Sequence, residues 1–359
     1  MRVLVSALEV SANVHLKVLR SYLKEKVEWL GVYDALLPED KPFLSPKDFS
    51  IMGFKEVFNR LLFFYKALQT MVKLAKEADL ILLMDSSSFN IPLAKRIKKQ
   101  YPNKPIFYYI LPQVWAWKAY RAPIIEKYCD HLAAILPFET SYYKEKAKFV
   151  GHPLLDEITQ VKTSLKGEGV VFMPGSRKQE ITRLFPVFVQ VAKQINQKRI
   201  LIVPSSLKDQ NLEALYGPNL KLFEISYNAH QSLYDASFAF ICSGTATLEA
   251  ALIGTPFVLG YKARPFDFFI AKSLVKLTCI GLANIFYNAI CNESPGRGKT
   301  MLHAEFVQED VNPENLLRIY YNMDRNYFFK ESQKIRAYLE HGSAQRVATW
   351  IQQTYKNLA

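Results

Sequence analysis

Short apolar runs alternate with helical patterns along the whole chain, which restricts the fold to parallel α/β architecture with helices crossing between parallel strands. Runs at residues 3–7, 29–32, 80–84, 106–109 and 132–136 predict one series of strands, and runs at 170–173, 199–203, 220–223, 238–242 and 256–259 predict another. The polar stretch 159–169 lies between the two series and predicts a linker. A chain of 359 residues, half of them apolar, can bury a core for each series. The expectation is two doubly wound domains, residues 1–158 and 159–342, with a C-terminal helix over 343–359 packing back on the first.

Two strand-to-helix turns in the second series carry the first chemical signal. Pro174-Gly175-Ser176-Arg177 follows the run 170–173, and Ser243-Gly244-Thr245-Ala246-Thr247-Leu248-Glu249 follows the run 238–242. Glycine at such a turn lets the backbone approach a ligand, and the following helix aims unpaired N–H groups and its positive dipole end at an anion. Two such turns in one half of the chain point to a nucleotide diphosphate. Ser176 takes the N-cap position with Gln179 three residues on, as in a capping box, and Arg177 emerges beside it. A guanidinium there meets the negative charge that builds on a departing diphosphate when a sugar nucleotide breaks at its anomeric carbon; the plainer alternative is a solvated surface arginine. Glu249 falls one helical turn past Thr245, where a carboxylate either accepts both ribose hydroxyls or merely complements the helix dipole.

In the first series, Asp85 leaves the run 80–84 at its carboxyl end and Glu9 lies just past the run 3–7, at the edge where open α/β sheets bind ligands. An aspartate leaving a buried strand is a candidate general base for a hydroxyl. Trp115-Ala116-Trp117-Lys118, with Tyr120 and Arg121, has the makings of a base-stacking platform, but its place after a strand and between Pro112 and Pro123 favours the wall of a substrate cleft. Over residues 54–75, Phe54, Val57, Phe58, Leu61, Leu62, Tyr65, Leu68 and Val72 share one helical face, with Lys55, Lys66 and Lys73 off it. Such a helix either packs on its sheet or lies in a membrane interface.

Basic residues number 46 against 33 acidic ones, a net charge of +13, which calls for an anionic partner: nucleic acid, membrane lipid or a phosphorylated substrate. Cys129, Cys242, Cys279 and Cys291 lack C-x-x-C spacing and fit reduced thiols in a cytoplasmic protein. The first residues run directly into a strand without the apolar core of a signal peptide. No apolar stretch reaches the about 20 residues a membrane-spanning helix needs. A soluble or peripheral protein is expected. Gly298-Lys299-Thr300 looks like the end of a phosphate-binding loop, but Glu293 stands where its first glycine belongs, so a flexible basic loop is expected. No G-x-G-x-x-G follows the first strand, and H-E-x-x-H and G-x-S-x-G are absent, which removes support from nicotinamide, zinc and serine-hydrolase chemistry. Without a D-x-D pair, the expected site relies on fixed donors and no metal.

Met52-Gly53 with Glu56-Val57, Asp85 with Phe89-Asn90, Val114-Trp115-Ala116-Trp117, Leu136-Pro137-Phe138-Glu139, Val150-Gly151-His152-Pro153, the two glycine turns, and Gly260-Tyr261-Lys262 with Pro265-Phe266 together resemble the lipid-A-disaccharide synthase family. The segments occur in that family's order and cover nearly all of the chain up to about Asn284. The resemblance implies a GT-B glycosyltransferase: an acceptor-binding and a UDP-sugar-binding Rossmann-like domain, an active site in the cleft between them, and neither metal nor other cofactor. It implies inverting transfer of 2,3-diacylglucosamine from its UDP derivative to 2,3-diacylglucosamine 1-phosphate, giving a β(1→6) disaccharide 1-phosphate and UDP. The implied setting is the cytoplasmic face of an anionic Gram-negative inner membrane, with no nucleic-acid partner.

By that match Asp85, Glu9 and Arg177 are the catalytic set. Gly175, Ser176, Ser243, Gly244, Thr245, Glu249 and Asn284 hold the UDP-sugar, and Ser11, Asn90, Trp115, Trp117, Phe54 and Phe58 line the acceptor and lipid cleft. The chain also departs from the pattern. The family's Gly-Glu-Ala-Ser-Gly-Asp is here Leu8-Glu9-Val10-Ser11-Ala12-Asn13, Ser86-Ser87-Ser88 replaces Ala-Pro-Asp, and Ala283 replaces a proline, so Asp85 lacks a second acid beside it or shares its task with Glu9. The competing expectations are a UDP-sugar 2-epimerase or another transferase on the same fold, and a basic non-catalytic binder of nucleic acid or membrane.

Overall fold

The computed structural model describes residues 1–35, 37–50, 57–263 and 277–358, leaving aside the side chains of 50 and 57–60. The chain forms two compact units, Met1–Asp156 with Leu339–Ala359, and Glu157–Tyr338.

The first unit holds six parallel strands, β1 (Arg2–Ala7), β2 (Glu28–Val32), β3 (Leu80–Met84), β4 (Ile106–Tyr109), β5 (His131–Ala134) and β6 (Ala147–Phe149), in the order β2-β1-β3-β4-β5-β6. Every residue of β3 is buried because helices cover both faces of the sheet, which is why it reads as an unbroken apolar run. On one face the helices Val57–Leu74 and Ser87–Gln100 bring Met71, Leu93 and Ile97 against Leu4, Ile81 and Leu83. On the other, the helices Val10–Tyr22 and Ser343–Lys356 bring Leu16, Leu19, Val347 and Ile351 against Val3, Val5 and Leu82.

The stripe read over residues 54–75 is rotated in the fold. Ala67, Leu68, Met71, Val72 and Ala75 face the sheet, Phe63 and Phe64 turn their edges to Phe49, and Leu61, Leu62 and Tyr65 are exposed. Phe54 lies outside the described residues, as does the Phe58 side chain.

The second unit repeats the plan with β7 (Val170–Met173), β8 (Arg199–Ile202), β9 (Glu224–Ser226), β10 (Phe238–Cys242), β11 (Phe257–Tyr261) and β12 (Glu305–Val307), in the order β12-β11-β10-β7-β8-β9. Its core is aromatic. Phe172 stacks on Phe240 at 5.1 Å and receives the edges of Phe188 and Phe223; truncating such a buried ring costs about 3–5 kcal/mol.

Three expectations are corrected here. The run 220–223 is not a strand: a 3-10 turn over Pro218–Leu222 delivers the Phe223 ring to the core, and the strand is the next segment, β9. The stretch 159–169 is not a free linker, since Lys162 N donates to Ile253 O at 2.8 Å and Glu168 N to Asp235 O at 2.7 Å. The loop around Gly298 is not loose either. The Glu293 carboxylate accepts from Lys299 N at 2.9 Å, Thr300 N at 3.1 Å and Thr300 Oγ1 at 2.8 Å, filling the anion position of the loop with the chain's own charge.

Candidate functional site

Each sheet has one boundary at which the direction of strand order reverses. In the first unit the chain passes from β1 out to β2 and returns on the other side at β3; in the second it passes from β7 to β8 and β9 and returns at β10. Open α/β sheets bind ligands beyond the carboxyl ends of the strands at such boundaries. Glu9 follows β1 and Asp85 follows β3, with Ala7 opposite Met84 in register. The 174–177 turn follows β7 and the 243–245 turn follows β10, with Met173 opposite Ile241. Paired strands lie about 4.8 Å apart, so each pair of turns shares one edge of its sheet.

In the first unit, Asp85 and Ser86 have φ of +48° and +37°, a conformation that costs a non-glycine residue about 1–3 kcal/mol and persists only where neighbours enforce it. The enforcement is explicit. Tyr108 Oη donates to Asp85 O at 2.6 Å, and Asn90 Nδ2 donates to both Met84 O and Asp85 O at 2.9 Å. Asn90 Oδ1 in turn accepts from Ser6 Oγ at 2.6 Å. Ile110 and Lys118, with φ of +61° and +55°, add two more strained positions in the segment that follows β4.

Burial pushes the Asp85 carboxyl above its ordinary range; the Ser86 backbone N–H partly opposes this and the Glu9 charge reinforces it. A carboxylate made more basic in this way is suited to accept a proton. Glu9 is exposed and accepts from Ser86 Oγ at 3.2 Å.

Asp85 opens on a pocket of about 190 Å³ lined with Ser87, Pro112, Gln113, Val114, Trp117 and Arg121. Trp117 is 46% exposed. Two expected cleft residues are corrected. Trp115 is buried with its ring edge-on to Phe138 at 5.4 Å, and Asn90 is fully buried and spent on the Asp85 turn, so both support the site from behind. Ser11 is exposed in the first turn of the helix that begins beside Glu9.

In the second unit, Gly175 has φ of +113°, and a Cβ there would stand 2.6 Å from Glu180 Oε2. The helix cap is one residue later than expected: Arg177 takes the N-cap and Glu180, not Gln179, closes the box. Glu180 Oε2 accepts from Ser176 N at 3.1 Å and Arg177 N at 3.2 Å. The Arg177 side chain is 83% exposed and paired to Glu180 Oε1 at 3.2 Å.

In the neighbouring turn Gly244 has φ of +144° with open space where a Cβ would stand, while Thr245 is exposed at the start of the helix Thr245–Ile253. Glu249 lies 3.6 Å from His230 Nε2, and the hydrogen bond with Glu249 raises the His230 pKa above its usual value against the opposing effect of burial.

Asn284, expected to hold the nucleotide, is fully buried and committed internally. It donates to His303 O at 3.0 Å and Glu305 Oε1 at 2.7 Å and accepts from Leu302 N at 2.7 Å. It orders the approach to β12 and presents no free face. Sequence reasoning missed Glu180, His230 and Tyr108; only Glu180, third after Arg177, had a local signal. Among the described residues no group of three or more His, Cys, Asp or Glu side chains stands placed to hold a metal ion.

A sequence model described as lipid-A-disaccharide synthetase matches residues 3–348. The chain belongs to the lipid-A-disaccharide synthase family. A lipid-A-disaccharide synthase from Helicobacter pylori is 59% identical over 351 residues, 96% of each chain. One from Campylobacter jejuni is 46% identical over 367 residues, 96% of this chain and 97% of the relative. MurG from Acinetobacter baumannii superposes with a TM-score of 0.61 at 13% identity, covering 98% of this chain and 99% of that one. A UDP-GlcNAc 2-epimerase from Neisseria meningitidis, bound to UDP-GlcNAc, superposes with a TM-score of 0.57 at 10% identity, covering 99% of this chain and 100% of that one. These distant likenesses establish the α/β GT-B fold.

Membership of the lipid-A-disaccharide synthase family makes this a glycosyltransferase of lipid A biosynthesis, and the epimerase alternative is not favoured. The fold also explains how the family's first turn accommodates an asparagine in place of its closing aspartate. Asn13 Nδ2 donates to Ala7 O and Glu9 O, each at 2.8 Å, and its Oδ1 accepts from Asp34 N at 2.8 Å. An ionised aspartate could make only the last of these bonds.

Proposed function

We propose that this chain transfers 2,3-diacylglucosamine from its UDP derivative to 2,3-diacylglucosamine 1-phosphate with inversion, forming the β(1→6) lipid A disaccharide 1-phosphate and UDP. The observation that carries this assignment is the placement of both candidate sets, Glu9 with Asp85 and the 174–177 turn with the 243–245 turn, at the reversal points of their sheets.

In the proposed mechanism Asp85 accepts the proton of the acceptor's 6-hydroxyl as its oxygen attacks the anomeric carbon of the donor from the face opposite the diphosphate. The bond from that carbon to the diphosphate oxygen breaks, and its electron pair leaves with UDP. Arg177, Ser176 and the N–H groups at Gly244 and Thr245 receive the developing charge, and Glu249 holds the ribose hydroxyls. Glu9 lies exposed beside Ser86, and its charge adds to the burial that raises the Asp85 proton affinity.

Acyl chains on both substrates require contact with a bilayer. Among the described residues no helix is long and apolar enough to cross one. Exposed Tyr65 lines a groove of about 620 Å³ together with Lys73, Arg96 and Lys99, and Leu61 and Leu62 are exposed on the same helix, a pairing of apolar and basic surface that suits peripheral contact with an anionic inner-membrane face. The aromatic stretch at 266–270 that could assist lies outside the described residues.

The test is incubation of the purified chain with both lipids. One UDP released per disaccharide, only with acceptor present, is expected; UDP-sugar epimerisation, or no turnover, would remove the assignment.

A further inference from the structure

The pocket beside Asp85 contains one cation. Arg121, at the start of the helix Arg121–Tyr128, lines it together with Asp85, Ser87 and Trp117. Its Nη1 donates to Ser87 Oγ at 2.7 Å, and among the described residues no carboxylate pairs with it. A guanidinium has five N–H donors in a rigid fork that matches phosphate oxygens, and one is used here. Such a group beside a substrate pocket retains both charge and donors for a ligand.

The volume limits what that ligand is. About 190 Å³ is below the range of roughly 300–1,000 Å³ typical of drug-sized ligands, so the pocket suits a single sugar headgroup with its acyl chains outside. In a hexopyranose the 6-hydroxyl and the anomeric substituent flank the ring oxygen, and a site for one sets a site for the other within one sugar's reach. The Trp117 ring supplies an aromatic wall, and Lys118, which is not part of the lining, places its Nζ 3.8 Å from that ring's centroid.

We infer that Arg121 is a specificity-determining residue that receives the anomeric phosphate of the acceptor while Asp85 faces its 6-hydroxyl. The inference rests on the proposed transfer to a sugar 1-phosphate. Ser87 holds the guanidinium in place, and the phosphate supplies the charge partner that Arg121 lacks among the described residues.

The experiment compares two acceptors with the full chain: 2,3-diacylglucosamine 1-phosphate and the same lipid without its phosphate. The unmodified chain should prefer the phosphorylated acceptor, and Arg121→Gln should lose that preference roughly ten- to hundredfold, chiefly through acceptor KM, with donor KM unchanged. Arg121→Lys should recover part of it. Free inorganic phosphate should compete with the acceptor in the unmodified chain and not in Arg121→Gln, which separates a general anion seat from recognition of the whole sugar phosphate.

Full retention of the preference by Arg121→Gln, or equal losses on both acceptors, would overturn the inference. If Arg121→Gln fails to fold, Arg121→Lys and Ser87→Ala take the same comparison, and unaltered preference in both overturns it equally. Transfer to neither acceptor by the unmodified chain would instead overturn the proposed reaction, and this inference with it.

Discussion

The Glu180 carboxylate holds Arg177 at both ends: the Arg177 backbone N–H donates to Glu180 Oε2 at 3.2 Å and the Arg177 Nη1 donates to Oε1 at 3.2 Å. With Ser176 N also donating to Oε2 at 3.1 Å, the carboxylate occupies the anion position of the turn. A diphosphate using those N–H groups must displace it. Glu180→Gln, which removes a negative charge facing the ligand, should therefore bind UDP as tightly as the parent or several-fold more tightly by calorimetry. Glu180→Ala should lose about 0.5–2 kcal/mol of stability with the cap. A tenfold weaker UDP affinity in Glu180→Gln would show that Glu180 instead holds Arg177 for the ligand.

His230 connects Glu249, the carboxylate proposed to hold the ribose, to pH. The Glu249 hydrogen bond raises the His230 pKa above the ordinary imidazole value of about 6.5 and outweighs burial, with the Glu249 and Glu157 charges acting in the same direction. The stabilisation from protonated His230 is whole below about pH 6.5 and is lost as pH rises through the higher folded value. His230→Gln should flatten stability across that window and raise donor KM several-fold, with kcat little changed, because Glu249 loses its tether. An unaltered donor KM would remove the role.

Glu139 predicts a second loss of stability with rising pH, over a lower window. Its carboxyl is buried, and desolvation pushes its pKa up to about 8, with the Leu136 and Ile135 backbone N–H groups opposing. The folded chain thus holds this proton more tightly than the unfolded chain, whose value is near 4.5. Stability should be full below about pH 4.5 and decline as pH rises towards 8. Glu139→Gln, which keeps the acceptor for Leu136 N, should match the parent in acid and exceed it above pH 8 by a few kcal/mol, at about 1.4 kcal/mol per unit. Equal urea midpoints for parent and variant at both pH values would contradict this.

The central strands were legible because burial on both faces leaves an unbroken apolar run, as in β3 and β10. Edge strands β6 and β12 left no such trace, since their residues are at most half-buried. The apolar residues around Phe223 misled for the complementary reason: its ring is buried by a 3-10 turn without strand pairing.

Asp85, Glu9 and the glycine turns could be found from strand ends alone. Their supports could not be read in full, because Tyr108 reaches Asp85 from the neighbouring strand and Ser6 reaches Asn90 from another, contacts that exist only in the assembled sheet. The long helix failed as a simple stripe because Phe49 draws Phe63 and Phe64 towards it, a tertiary contact that overrides periodicity and leaves Leu61 and Tyr65 outside.

The most direct test is the steady-state rate of Asp85→Asn with both lipid substrates, alongside its UDP affinity and melting temperature. Loss of a general base predicts a fall in kcat of about 10²–10⁴, with UDP binding retained and folding intact, since Asp85 is anchored through its backbone carbonyl. In the parent the acid limb of kcat should lie above the ordinary carboxylate range, as burial of Asp85 requires. Turnover by Asp85→Asn within a few-fold of the parent would contradict the account.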